Sequence, residues 1–183
     1  MNRPLNLWID RACSNPSFRP YMVNKGTMFL YCDYAGFASR HDYGVACCAV
    51  FNRTVKVTAK KLPIERDRGS NYGEILAIAL SLDTLAALPE QQPKAAVIFT
   101  DCSRISRILA QDRYSNPHDG QAVAELTAAL AKLNRRFPEV GVQIRYIRKH
   151  KRNNPFHRLA HDAARQAAMS SVGWSLDEPC IIR

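Results

Sequence analysis

The spacing of apolar residues changes along the chain and divides it into sheet-forming and helix-forming stretches. Residues 27–33 (TMFLYCD) form a short apolar run, predicted as a strand ending at Asp33. A glycine-containing turn, AGFASRHD, leads into the apolar run 43–51 (YGVACCAVF). After a turn at Asn52 and Arg53, residues 54–60 (TVKVTAK) alternate between polar and apolar, the period-two pattern of a half-exposed strand. Three strands joined by short turns predict an antiparallel meander.

The period then lengthens. Residues 71–88 (NYGEILAIALSLDTLAAL) are rich in helix formers, with Ser70 or Asn71 as cap and Pro89 as stop. The segment is apolar on more than one face, which predicts a well-buried helix. Residues 95–100 (AAVIFT) read as a short strand covered on both faces. Helices are predicted over 103–111, over the amphipathic 119–134 and over 155–169, with an alternating strand at 142–147 (VQIRYI) between the last two. The first 26 residues and the tail 170–183 have weak patterns. They are read as an N-terminal extension packed on the domain and a C-terminal tail, flanking a domain at 27–169. The order β-β-β-α-β-α-α-β-α predicts an α/β fold, a mixed five-stranded sheet with helices on its faces.

Composition narrows the class. A chain of 183 residues with 46% hydrophobic and 23% charged residues suits one globular domain, not a disordered or coiled-coil chain. No apolar run approaches the roughly 18–20 residues of a membrane span, and the N-terminus lacks a signal-peptide core, so the expectation is a cytoplasmic protein, read as a monomer. The six cysteines form no C-x-x-C pair or zinc-spaced cluster, and read as reduced structural thiols. The formal charge is +10 and the pI about 9.6. Such a surplus favours a polyanionic partner, nucleic acid before an anionic membrane.

The acids fall at telling places. Asp33 and Asp101 end apolar strands, Glu74 lies early in the long apolar helix, and His161 and Asp162 lie in the first half of the last helix. A carboxylate at the end of a buried strand is costly unless a cation or hydrogen bonds compensate it. Acids converging at adjacent strand ends suit a hard divalent cation, and two such ions suit phosphodiester hydrolysis.

With these motifs in place, the sequence resembles the ribonuclease H family over residues 27–169. GSNYGEILAIALSLDTL is similar to the family's helix signature, an Asn three residues before the catalytic Glu. VIFTDCS is similar to its apolar strand ending in Thr-Asp-Ser. FLYCDYAGFAS with YGVACCAVF corresponds to its Asp-Gly-Ser turn and hairpin, and YIRKH to the strand ending in a Lys-x-His or Gly-His pair. The resemblance implies an RNase H-like fold, with Asp33, Glu74 and Asp101 as catalytic metal ligands for two Mg²⁺ or Mn²⁺ ions. It places His150 at the mobile His position that helps deprotonate water or release product, and Asn71 against the nucleic-acid backbone in the minor groove.

The sequence departs from the pattern in three places. Asp33-Tyr34-Ala35 stands for Asp-Gly-Ser. The fourth acid is either His161, by register with His157 and Ala160, or Asp162, by ligand hardness; neighbours on a helix point about 100° apart, so one of the two faces the metals. The basic handle helix of some bacterial members is missing, since residues 119–134 carry a single Lys. Substrate grip is instead expected from 135–165, with nine Lys/Arg against two acids. Its densest part, RKHKRNN, offers Lys149, Lys151 and Arg152 to phosphates.

The leading expectation is a metal-dependent endonuclease that cleaves the RNA strand of RNA–DNA hybrids, leaving 5′-phosphate and 3′-hydroxyl ends. A DNA-junction or structured-RNA nuclease on the same fold, and a binding module that has lost catalysis, are the alternatives.

Overall fold

The computed structural model describes residues 3–88, 92–148, 153–170 and 174–179. In chain order the elements are α1 (Arg3–Ser14), α2 (Arg19–Val23), β1 (Thr27–Phe37), β2 (Asp42–Phe51) and β3 (Thr54–Lys61). There follow α3 (Ser70–Ala86), β4 (Ala95–Thr100), α4 (Ile105–Leu109), α5 (Pro117–Arg136), β5 (Gly141–Tyr146), α6 (Pro155–Met169) and β6 (Trp174–Pro179). One sheet has the order β5-β4-β1-β2-β3-β6. β1 pairs antiparallel with β2 and parallel with β4, and β5 runs parallel to β4.

The predicted five-stranded mixed sheet is present, in the order β3-β2-β1-β4-β5. The tail adds a sixth strand, β6, antiparallel on the free edge of β3. A second difference concerns β1, which runs past Asp33 to Phe37. Its ladder with β4 ends at Tyr31, but its ladder with β2 continues to the pair Phe37 and Asp42. Asp33 therefore sits inside a strand, at the point where the parallel neighbour has ended.

Two local devices set the elements. Asn-Pro opens both α5 and α6: the Asn116 and Asn154 side chains accept backbone N–H bonds from the first turn, and Pro takes a position whose N–H has no helical partner. The β2–β3 turn holds Asn52 and Arg53 at φ 45° and 64°, the left-handed pair of a two-residue hairpin. Their N–H groups donate to Asn24 O at 2.9 Å and Met22 O at 2.6 Å, so the end of α2 fastens the turn.

The core lies in two layers, one on each face of the sheet. α3 and α5 cover one face with Ile75, Ile78, Leu82, Leu126 and Leu133. α6 covers the other with a run of small side chains including Ala160, Ala163, Ala164 and Ala167, joined by Phe156 and Leu159. Small residues bring the helix close: a Cβ on Gly44 of β2 would lie 2.5 Å from Ala164 O and 2.5 Å from Ala168 N. α1 packs across α6, burying Leu5, Ile9 and Ala12, which recur at helical spacing. Among the described residues no helix is long and apolar enough to cross a membrane.

Candidate active site

Side chains alternate along β1, so Tyr31, Asp33 and Ala35 share the face that α6 covers. Tyr31 and Ala35 belong to the α6 layer of the core. Asp33 thus reaches α6 just beyond the end of the β4 ladder. β4 delivers Asp101 immediately after its last residue, and α3 supplies Glu74 from its fifth residue, at the start of the second turn. The site lies outside the carboxyl ends of two parallel strands, where open α/β sheets place ligands.

The groups are close. Ligating atoms of Asp33, Asp101 and His157 all lie within 4.8 Å of one another. His161 Nδ1–H donates to Asp33 Oδ2 at 2.7 Å. Thr100 Oγ1 donates to Glu74 Oε2 at 3.4 Å. Glu74 and Asp101 line an open cleft with Ser70, Asn71, Ser103 and Arg104.

The electrostatics describe crowded negative charge. Burial pushes the Glu74 carboxyl well above the ordinary carboxylate range, and the charges of Asp33 and Asp101 push it further. The His161 imidazole is raised, chiefly by its hydrogen bond to Asp33, against the opposing effect of burial. Because the carboxylate can only accept, the neutral ring carries its proton on Nδ1 and keeps the Nε2 lone pair free to ligate. The His161 side chain is 37% exposed and that of Asp33 4%, so the imidazole is the solvent-side member of the pair.

Asp33, Asp101 and His157 converge closely enough to ligate one divalent cation, with His161 bonded to Asp33 and Glu74 lining the cleft beside Asp101. The cation would relieve the repulsion that adds to burial in raising Glu74, and the oxygen and nitrogen donors suit Mg²⁺ or Mn²⁺, with imidazole favouring Mn²⁺. The donor set fits such an ion.

No protein-family model matches the sequence, and comparison with curated proteins finds no significant relative. Solved structures do match. One is RNase H1 from the halophilic archaeon Halobacterium salinarum, with TM-score 0.56 and 16% identity, spanning 78% of this chain and 97% of that one. Another is the N-terminal RNase H domain of a Mycobacterium tuberculosis protein fused to maltose-binding protein, with TM-score 0.55 and 15% identity over 80% and 99% of the two chains. A third is an RNase H1 isolated from compost by a metagenomic approach, with TM-score 0.54, 14% identity and coverage of 79% and 99%. The chain has the RNase H-like fold.

On the RNase H-like sheet, Asp33, Glu74 and Asp101 come together. His161 and Asp162 part company. His161 turns to Asp33, whereas Asp162 Oδ2 accepts a 2.7 Å hydrogen bond from Trp8 Nε1 of α1. Helical geometry explains the split: residues 157 and 161 form one stripe of α6, and residues 158 and 162 the next. Asn71 lines the cleft, its amide donating to Asp119 Oδ2 at 3.4 Å and its carbonyl accepting from the Cys102 thiol at 3.8 Å. Lys149, His150, Lys151 and Arg152 lie outside the described residues.

His157 is absent from the candidate residues read from sequence. It is buried in α6 next to Asp33 and Asp101. The pointer to it is its four-residue spacing from His161, which puts both imidazoles on one stripe.

Tyr34 follows Asp33 on β1. Its ring packs on the backbone of Gly73, beside Glu74, and stacks on Tyr43 with an interplanar angle of 2°.

Proposed function

We propose that the chain is a divalent-metal-dependent endonuclease acting on the RNA strand of RNA–DNA hybrids. The observation that carries this reading is the clustering of Asp33 and Asp101 with His157, together with the His161 bond to Asp33, beside a buried Glu74. Asp33, Glu74, Asp101 and His161 or Asp162 would hold two Mg²⁺ or Mn²⁺ ions, and the position of His157 adds it to the candidates. When bound, such ions lower the pKa of an attacking water and stabilise the departing 3′-oxygen.

The side chains have separable tasks in this reading. Asp33 fixes the ring orientation and tautomer of His161, as carboxylates do for metal-binding imidazoles. Thr100 fixes the Glu74 carboxyl. Asn71, braced by Asp119 and Cys102, presents its amide at the cleft to the nucleic-acid backbone, where the 2′-hydroxyls mark RNA. Lys149, Lys151 and Arg152 contact flanking phosphates, and His150 assists proton transfer or product release. The protein acts as a cytoplasmic monomer, built as a nuclease domain at 27–169 with an N-terminal extension and a C-terminal tail.

The two imidazoles favour a second reading, a DNA-junction or structured-RNA nuclease on the same fold with a Mn²⁺ preference. Labelled hybrid, duplex RNA, duplex DNA and a four-way junction are incubated with the protein in Mg²⁺ or Mn²⁺. The leading reading expects hybrid cleavage with 5′-phosphate products, lost in Asp101→Asn. Preference for the junction selects the second reading. Hybrid binding with no cleavage in either metal selects a binding module and overturns both.

A further inference from the structure

A second feature lies one stripe around α6 from the acids. α1, the turn after it and the start of α6 enclose a cleft of about 480 Å³, lined by Trp8, Arg11, Asn15, Phe18, Asn153 and Arg158. Two guanidinium groups lie over one indole: the Arg11 carbon is 4.7 Å and the Arg158 carbon 5.9 Å from the Trp8 ring centroid. Trp8 is itself fixed by its bond to Asp162. The Arg158 Nε is buried and has no hydrogen-bond partner among the described residues. No acid lines the cleft among the described residues.

A buried guanidinium N–H without a partner is costly, and a second guanidinium beside it adds repulsion. The repulsion between the two cations is offset when an anion enters the cleft. Both guanidinium groups line the cleft, and such a planar fork recognises phosphate bidentately. The asparagines at the rim add neutral donors, and Phe18 adds an apolar wall.

We propose that this cleft is a backbone-phosphate subsite for the nucleic acid, with Arg11 and Arg158 as its phosphate-binding residues. Resting on the nuclease reading, it gives the N-terminal extension a role in substrate grip. Arg158 precedes His161 by three residues, a rise of about 4.5 Å along the helix. A strand engaged at the acidic cluster therefore passes the cleft within a few nucleotides. The subsite also supplies part of the grip that residues 119–134, with a single Lys, do not.

The test uses the full chain with EDTA, so that nothing is cleaved. Fluorescent hybrids are titrated at several salt concentrations and read by anisotropy. Arg11→Ala, Arg158→Ala and Arg158→Lys are compared with Lys132→Ala, an exposed position on α5 that changes the net charge equally. Each arginine-to-alanine change is expected to weaken binding and to lower the slope of log K against log salt by about one, as for a lost phosphate contact. Arg158→Lys retains the slope but binds more weakly than wild type, because it keeps the charge and loses the fork. Arg11 is exposed, so Arg11→Ala reads the site even if Arg158→Ala is poorly folded.

Slopes for Arg11→Ala and Arg158→Ala that match wild type or Lys132→Ala overturn the subsite, even if hybrid cleavage stands. Lost slope in a protein that never cleaves upholds the subsite and overturns the nuclease reading. Arg11-dependent binding to anionic vesicles or inorganic phosphate, with no such dependence for nucleic acid, also overturns it.

Discussion

The Tyr34 ring rests on the Cα of Gly73, so closely that a Cβ there would meet ring atoms at 2.2, 2.3 and 2.4 Å. The contact explains how a tyrosine fits at this point of β1: Gly73 on α3 leaves room for its ring. Gly73→Ala is expected to destabilise the protein by about 1–3 kcal/mol through overpacking. In a Tyr34→Ala background the same change should become neutral or stabilising by about 0.5–1 kcal/mol, because alanine is the better helix former. Urea denaturation of the four proteins in the cycle measures the reversal. Equal costs in both backgrounds would mean the ring is not what Gly73 accommodates.

Gly44 makes a harder constraint. The atoms a Cβ would meet are backbone atoms of α6, Ala164 O and Ala168 N at 2.5 Å, and these have no rotamer through which to yield. Gly44→Ala must shift the helix that carries His157 and His161. The expected loss is about 3 kcal/mol, the upper end of overpacking costs, accompanied by weaker Mn²⁺ binding in calorimetry. Lost stability with unchanged metal affinity would show that the helix shift does not reach the imidazoles.

Much of this arrangement is legible in the residues alone. The span of α6 is bounded by Asn154-Pro155 and by the end of its alanine run, and residues 155–169 are the helix in both sequence and structure. β4 is likewise legible at 95–100, because a six-residue run apolar up to its final Thr suits a central strand. The boundary of β1 is not, since Ala35 and Gly36 look like a turn and only pairing with β2 keeps them extended. α1 is obscured by prolines at 4, 16 and 20, although Leu5, Ile9 and Ala12 mark its buried stripe. β6 has no signal of its own and exists through the free edge of β3. In the candidate site, the acids are legible because each ends or enters an apolar element. The division of labour between His161 and Asp162 depends on α1, whose position the sequence does not reveal.

Glu74 makes the metal-free protein sensitive to pH. In the unfolded chain its carboxyl titrates near the ordinary value of about 4.3. In the folded protein burial first, then Asp33 and Asp101, raise that value strongly. Between the two values the folded state holds a proton that the unfolded chain has released. The contribution to stability is therefore complete below about pH 4.3 and declines as pH rises toward the folded value. Glu74→Gln keeps the shape and removes the titration. With EDTA the variant should match wild type near about pH 4 and exceed it in Tm near about pH 8. Mg²⁺ or Mn²⁺ should restore wild type more than the variant. Parallel Tm curves for the two proteins would show that Glu74 is not under this strain.

The neighbours His161 and Asp162 give the sharpest discrimination. Asp162 is engaged by Trp8 and His161 by Asp33, each at 2.7 Å. Asp162→Asn keeps an acceptor for the indole N–H and removes only the charge. It should leave Mn²⁺ affinity and cleavage within about threefold of wild type, the scale of a partly screened neighbouring charge. His161→Ala removes a ligand or its bracing of Asp33, and should cost about 10–100-fold in metal affinity. His161→Asp should instead retain binding and move the preference from Mn²⁺ toward Mg²⁺, because it exchanges imidazole nitrogen for carboxylate oxygen. Calorimetric titration with both metals orders the variants. If Asp162→Asn loses the metal and His161→Ala keeps it, then Asp162 must leave Trp8 to become the ligand, and the stripe assignment of α6 fails.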